Sequence, residues 1–361
     1  MNDGAWVTRG TLTLPYGTLA TLHAGQSEVH LKQNILSGEQ RVFKRVSLLG
    51  REDTLAFNEV VLLQGIDHPN VARVFDVVEI AGSDPALRLV EIMMPYYPSG
   101  SVLDAMHRGM RYSAGEARDI AVHALRGLGC LHDQHRILHR DPKPANLFLA
   151  GEGSLVKVGD FGEAVRMDEA GGCDPLISPQ CWTPPESFTG GRYGVASDLY
   201  GIGMTLAELL SGPFPYDNYN RERLAIRLAG GRCGVRPRDL AFAAHVPDPL
   251  RRIVRKATRL EPHDRYQSAD AMVRDLLAAS FVDWGWPVFE GAGMVWTGSS
   301  MDKTFRVTAR PIRGKGWRAR AQRLYPGGWQ RLQGSTDADA PEPLAAAAAA
   351  FSQIDMHLSR V

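Results

Sequence analysis

Apolar and polar positions alternate along roughly the first hundred residues and then change to a helical period. The chain therefore opens strand-rich and continues helix-rich. Residues 11–22 alternate as a strand broken at Pro15-Tyr16-Gly17, and residues 28–34 and 40–46 flank Ser37-Gly38 as a hairpin. Leu55, Val60, Leu62 and Leu63 fall near helical spacing, and His68-Pro69-Asn70 ends that helix. Residues 71–80 and 87–94 read as two more strands around the turn Gly82-Ser83-Asp84-Pro85, which completes a small sheet with one helix.

Beyond residue 100 the period is helical. Ser113 and Glu116 are spaced as a capping box. After them Ile120, Ala121, Ala124, Leu125, Leu128 and Leu131 draw one apolar stripe as far as His132. Residues 197–210 are apolar on nearly every side, as a core helix must be, and residues 268–277 give another helix. The pattern then returns to strands, near 286–296, 304–310, 317–324 and 328–332. A Pro-rich break at 337–343 precedes an alanine-rich helix with Phe351, Ile354 and Leu358 on one face. Trp284, Trp286, Trp296, Trp317 and Trp329 are five of the chain's 7 tryptophans, so a small sheet packed by one helix is expected here, of no recognised family.

Composition narrows the function classes. With 361 residues the chain suits two or three domains. Its formal charge of +1 gives no global field for nucleic acid or membrane. Cys130, Cys173, Cys181 and Cys233 form no CxxC pair, which fits a reducing compartment; Cys173 and Cys181 are read either as redox-sensitive or as ordinary thiols. No apolar run approaches the ~18 residues of a membrane span. Residues 1–10 carry neither periodicity nor a basic and apolar signal pattern, so a leader over 1–17 and a cytoplasmic location are expected.

The chemistry concentrates in HRDPKPANLFLAGEGSLVKVGDFG, residues 139–162. Pro142 and Pro144 keep Asp141 and Asn146 off any helix, so this is a rigid loop. The short strand 156–158 then delivers Asp160 through a glycine to the same place. Asn146 and Asp160 are hard oxygen donors suited to magnesium carrying a nucleotide triphosphate, which leaves Asp141 to orient and deprotonate an attacking hydroxyl.

HRDPKPAN followed by DFG resembles the eukaryotic-type protein kinase family in its serine/threonine branch. The resemblance covers residues 18–280. It implies an α+β bilobal fold, with a β-rich N-lobe to about residue 94, a hinge at 95–100 and a mainly helical C-lobe over 101–280. A small α+β module at 284–361 would follow. It further implies ATP and Mg2+ as cofactors, a protein substrate, Asp141 as base, Lys143 on the transferring phosphate, and Asn146 and Asp160 on the metal. Lys44, in Arg41-Val42-Phe43-Lys44, would hold the α- and β-phosphates and pair with Glu59. Val29, Val42 and Phe148 would sandwich the adenine and the Tyr97 amide would bind it.

Residues 22–29 stand where the family carries a glycine-rich phosphate loop, and only Gly25 is kept. Asp198 is expected to anchor the catalytic loop, His139 to be architectural, and Glu186, in Trp182-Thr-Pro-Pro-Glu186, to pair with Arg265. The family's threonine, seven before that glutamate, falls on Pro179. Either Ser178 or Thr183 would then bond Asp141 and Lys143, or the bond is absent. Residues 163–177 contain no serine, threonine or tyrosine, so activity without loop phosphorylation is expected, with Asp168, Glu169 or Asp174 offering charge to Arg140.

Two rivals stand beside the active kinase. A pseudokinase scaffold follows from the poor glycine loop, and a small-molecule kinase would share the loop spacing. From Trp286 to Val361 ten Lys or Arg face six acids. Arg306 with Arg310, and Arg318 with Arg320, lie at even spacing on presumed strands. Such a face suits an acidic protein partner ahead of nucleic acid, or is simply solvated, and no membrane contact is implied.

Overall fold

The computed structural model describes residues 14–24, 27–47, 65–80, 89–153, 155–314 and 316–358. Contact density divides the chain into two compact units, Met1–Asp67 with Ala72–Tyr97 and His68–Val71 with Pro98–Val361.

The first unit is a five-stranded sheet in the order β1-β2-β3-β5-β4. Its strands are β1 (Tyr16–Ala24), β2 (Ser27–Asn34), β3 (Gln40–Ser47), β4 (Asp76–Glu79) and β5 (Leu89–Pro95). The β2–β3 turn needs a left-handed residue, which Gly38 supplies at φ 75°, while the Asn34 side chain accepts from the Leu36 and Ser37 amides. The strand expected over 71–80 is shorter. Only Asp76–Glu79 pairs with β5; Val71 instead bridges Val158, and the Asn70 side chain donates to the Val156 carbonyl at 2.9 Å. The helix expected around Leu55 lies outside the described residues.

In the second unit, α1 (Val102–His107) and α2 (Ala114–Gly129) each begin at a serine with a complete capping box, the one at Ser113 as its spacing predicts. Short pairs β6 (Ile137–Leu138) with β9 (Val165–Arg166), β7 (Leu147–Ala150) with β8 (Leu155–Val158), and β10 (Gly172–Cys173) with β11 (Tyr193–Gly194) hold the loops between them. The segment 163–180, read as loop, therefore carries two of these strands. Helix α3 (Val195–Ser211) is the buried helix expected, and α4 (Arg221–Ala229), α5 (Asp248–Ala257) and α6 (Ala269–Ala278) complete the helical part.

The chain then builds a seven-stranded antiparallel sheet: β12 (Asp283–Trp284), β13 (Val288–Glu290), β14 (Gly293–Ser300), β15 (Lys303–Ile312), β16 (Gly316–Tyr325), β17 (Gly328–Arg331) and β18 (Ala338–Ala340). Two readings change here. The run 286–296 is a hairpin, because Gly291 turns it at φ 61°, and the break at 337–343 contains strand β18. Helix α7 (Pro343–Leu358) packs on one sheet face, small residues Ala309, Ala319 and Ala321 admitting Ala346, Ala347 and Ala350. Phe351 closes that core edge-on to Trp284 at 4.8 Å and Trp296 at 5.6 Å. Burying each such ring contributes about 2–3 kcal/mol.

The sheet is tied to α2: the Asp283 carboxylate accepts from the Gly115 amide at 2.7 Å and from Ser113 Oγ at 3.1 Å, at the positive end of the helix. Trp286 Nε1 donates to the Tyr112 carbonyl at 2.8 Å. On the sheet's other face Arg318 is bidentate to Asp339, and Arg320 to Asp337, which also takes Arg331. The arginines do share a face, as their spacing requires, but the aspartates of and beside β18 neutralise two of the four residues expected to form a basic surface.

Candidate active site

The loop 139–146 is held from below by one buried carboxylate. Asp198, near the start of α3, accepts from the His139 amide at 2.9 Å, the Arg140 amide at 2.9 Å, Tyr193 Oη at 2.8 Å and His132 Nε2 at 2.7 Å. Although burial raises a carboxyl's pKa, the His132 hydrogen bond and the other donors hold Asp198 below its ordinary range. The helix reaches the loop because residue 201 is glycine: a Cβ there would stand 2.6 Å from the Pro142 carbonyl oxygen. Arg140 takes φ 68°, a left-handed turn that two amide bonds to Asp198 stabilise.

His139 is fully buried. Its Nδ1 accepts from the Asp141 amide at 3.3 Å, so Nε2 carries the proton and donates to the Gly159 carbonyl at 3.1 Å. The ring is thus an architectural bridge between the loop and the exit of β8.

Above this frame the candidate catalytic groups meet. Lys143 Nζ donates to Asp141 Oδ2 at 2.6 Å, and Asn146 Nδ2 donates to the Asp141 carbonyl at 2.8 Å and to Oδ2 at 3.1 Å. Spending Nδ2 on Asp141 leaves Asn146 Oδ1 as the atom for a cation. The Gly159 amide donates to the Asn146 carbonyl at 3.0 Å, which fixes the strand exit beside Asn146. Asp160 follows, exposed and at φ 56°. A carboxamide oxygen and an exposed carboxylate on neighbouring backbone suit a hard divalent ion. Phe148 lies on β7, half-buried, opposite Lys157.

In the first unit, the register sets Val29 opposite Lys44, Leu31 opposite Val42, and Lys44 opposite Ile92. Val29, Val42 and Lys44 therefore share one sheet face. Lys44 is buried to 9% exposure. That face, one cation among apolar side chains, fits a nucleotide's base and phosphates. Tyr97 is half-buried, and Gly25 and Glu59 lie outside the described residues.

The segment beyond Asp160 corrects two expectations. Neither Ser178 nor Thr183 bonds Asp141 or Lys143; Gln180 does, with Oε1 accepting from Lys143 at 2.8 Å and Nε2 donating to Asp141 Oδ1 at 3.2 Å. The Thr183 hydroxyl is turned to the Ser178 carbonyl at 2.7 Å. The Asp168 carboxylate, offered to Arg140, instead accepts from the Gly172 amide and from Arg192, which hold its pKa down. Arg140 Nε is buried and makes no hydrogen bond among the described residues.

Glu186 and Arg265 form the expected pair, bidentate at 2.7 Å and 2.7 Å. Glu208, which no spacing singled out, accepts from Trp182 Nε1 at 3.0 Å, the Phe214 amide at 3.1 Å and Tyr216 Oη. It anchors the end of the segment on α3.

Burial pushes the Glu208 carboxyl up to about 7, against those three donors. Between pH 4.5 and 7 the folded chain then keeps a proton that the unfolded chain has lost, so stability falls as pH rises, by about 3 kcal/mol in all. His245, lowered to about 4 by burial, slopes the other way from pH 4 to 6.5. The expected result is therefore a difference: the stability gap between wild type and Glu208→Gln, from urea unfolding at pH 5 and 7.5, changes by about 2–3 kcal/mol. A gap independent of pH would show that the three donors keep Glu208 ionised.

A protein kinase domain model matches residues 23–277. The chain is 28% identical over 256 residues to serine/threonine-protein kinase Nek5 of Mus musculus, covering 69% of this chain and 38% of that one. It is 30% identical over 217 residues to mitosis inducer protein kinase cdr2 of Schizosaccharomyces pombe (58% and 26%). It is also 26% identical over 266 residues to the probable serine/threonine-protein kinase PknB of Lactococcus lactis (72% and 41%). The chain thus spans well under half the length of these relatives.

Proposed function

The chain belongs to the protein kinase family, and from that premise we propose that it transfers the γ-phosphate of ATP to serine or threonine hydroxyls of a protein substrate. The observation that carries this reading is the meeting of Asp141, Lys143 and Asn146 on a loop held by buried Asp198. Asp141 orients the attacking hydroxyl and accepts its proton, and Lys143 neutralises charge on the phosphoryl oxygens in flight. Asn146 Oδ1 and the Asp160 carboxylate would hold magnesium, which when bound would offset the negative charge of the phosphates. Lys44 would hold the α- and β-phosphates, and Glu59 is proposed as its partner in that role. On the first unit Val29 and Val42 would offer the adenine an apolar surface, the Tyr97 amide would bond it and Gly25 would admit the phosphates; Phe148 is the residue proposed for the base on the second unit.

Residues 284–361 we assign to recognition of a protein partner. Arg306 and Arg310 are the cations that Asp337 and Asp339 leave on the outer sheet face, although Arg306 already stacks on Trp329 at 4.5 Å and bonds Gln322. An acidic partner segment fits that smaller surface better than nucleic acid does. Among the described residues no helix is long and apolar enough to cross a membrane. A cytoplasmic setting is the matching proposal.

The test is incubation of the full chain with labelled ATP, magnesium and a generic basic protein. Label on serine and threonine supports the reading. Nucleotide binding without label on any acceptor supports a pseudokinase scaffold, and label on small hydroxyl compounds alone supports a small-molecule kinase.

A further inference from the structure

We infer that Gln180 is the positioning residue that keeps Asp141 and Lys143 in register for transfer, an assignment that rests on the phosphoryl-transfer reading above. Its amide is bipolar and both ends are matched. Oε1 accepts from the Lys143 ammonium at 2.8 Å, while Nε2 donates to Asp141 Oδ1 at 3.2 Å and to Ser178 Oγ at 3.3 Å. Lys143 closes the ring on Asp141 Oδ2 at 2.6 Å. Reversing the amide would set NH2 against an ammonium and oxygen against a carboxylate, so charge alone fixes its orientation.

The consequence is that the two oxygens of Asp141 are held by different donors. Oδ1 has Gln180; Oδ2 has Lys143 and Asn146. A carboxylate gripped on both oxygens does not rotate, and its free lone pairs stay aimed where a hydroxyl must arrive. Without Gln180 the ammonium loses an acceptor and Oδ1 loses its donor, so both side chains, each 18% exposed, gain freedom together.

The backbone that carries Gln180 is fixed independently of any modification. Its amide donates to Thr183 Oγ1 at 3.0 Å, and the Thr183 hydroxyl donates to the Ser178 carbonyl at 2.7 Å. The turn 178–183 is thereby closed on itself. Immediately after it Cys181 is buried and Trp182 is bonded to Glu208. Gln180 therefore delivers a constraint that starts in the segment's own fold and ends on the reacting carboxylate.

Three variants of the full chain decide the matter: Gln180→Ala, Gln180→Asn and Gln180→Glu. In Gln180→Ala the single-turnover rate is expected to fall roughly 10–100-fold, with nucleotide affinity within about twofold of wild type. Gln180→Asn, too short to span both partners, should behave alike. Gln180→Glu keeps an acceptor for Lys143 but sets a second negative charge beside Asp141 Oδ1. Its transfer rate should therefore fall as in Gln180→Ala while Lys143 stays held, a split that a packing role would not cause.

The readout that needs no activity is acylation of Lys143, followed by mass spectrometry against exposed Lys303 as control. It should quicken several-fold in Gln180→Ala. Wild-type rate and unchanged acylation in Gln180→Ala would overturn the assignment, as would a Gln180→Glu that transfers at the wild-type rate. Should wild type transfer nothing, the kinase reading fails, while the acylation contrast still decides whether Gln180 holds Lys143.

Discussion

Replacing Asp141 by asparagine is expected to lower single-turnover transfer by roughly 10²–10⁴-fold, the range a positioned general base contributes. Asparagine keeps the shape and one acceptor oxygen, so Lys143 and Asn146 retain a partner on the loop. The frame beneath, which consists of Asp198, His139 and the Pro142 contact with Gly201, does not involve the Asp141 carboxylate. Thermal unfolding should consequently shift little, because asparagine keeps an acceptor for Lys143 and neither side chain of the pair, each 18% exposed, is sealed from water. Asp160→Asn should also abolish most transfer but differ in one respect: nucleotide affinity should weaken with it and become less dependent on magnesium, since the lost charge is on the cation's side. Rates and nucleotide titrations of the two variants, side by side, separate base from metal ligand. Near-full activity in Asp141→Asn would remove the basis of the loop's assignment.

How much of this was readable in the residues depends on the distance over which each contact is determined. Asp141 and Asn146 sit on one prolyl loop, and the β7–β8 hairpin returns Asp160 to it. Their meeting is local and the spacing suffices. The Ser113 cap and the apolar run of α3 are local in the same sense. Gln180 is the opposite case. Its side chain reaches the loop 37 residues away, and the family spacing pointed one residue earlier, at Pro179. A long carboxamide does from residue 180 what a short hydroxyl would have done, and no count along the chain distinguishes the two.

The arginine face was misjudged for a related reason. Even spacing placed Arg318 and Arg320 on one side of β16. Their neutralisation depends on β18 pairing with β16 so that Asp339 stands opposite Arg318, and that register is set by the fold, not by the neighbours in sequence. Residues 71–75 likewise look like strand, but Asn70 spends its side chain on the Val156 carbonyl and Lys157 bonds the Pro69 carbonyl, which commits the chain before β4 to a different partner.

The largest expected loss of stability is at Arg265. Arg265→Ala should cost about 3–5 kcal/mol, because it leaves the Glu186 carboxylate buried without its counter-ion. The guanidinium is 0% exposed and the carboxylate 6%. Besides its two bonds to Glu186, Arg265 donates to the carbonyls of Arg259 and Leu260 at 2.7 Å and 2.7 Å, and to that of Ala196 at 3.3 Å. One side chain thus joins the end of the segment that carries Gln180, the start of α3 and the turn before α6, and its planar fork has no equivalent in lysine. Ser197 Oγ, at 2.7 Å from Glu186 Oε1, is the donor that remains, too little to solvate a charge. Glu186→Gln keeps that bond and removes the charge, so in the Arg265→Ala background it should recover part of the loss, making the double variant more stable than the sum of the two single changes. Urea unfolding of the four proteins gives the coupling directly. Additive losses would mean that Glu186 takes up a proton or reaches water once Arg265 is gone, and that the pair does not hold the segment to α3.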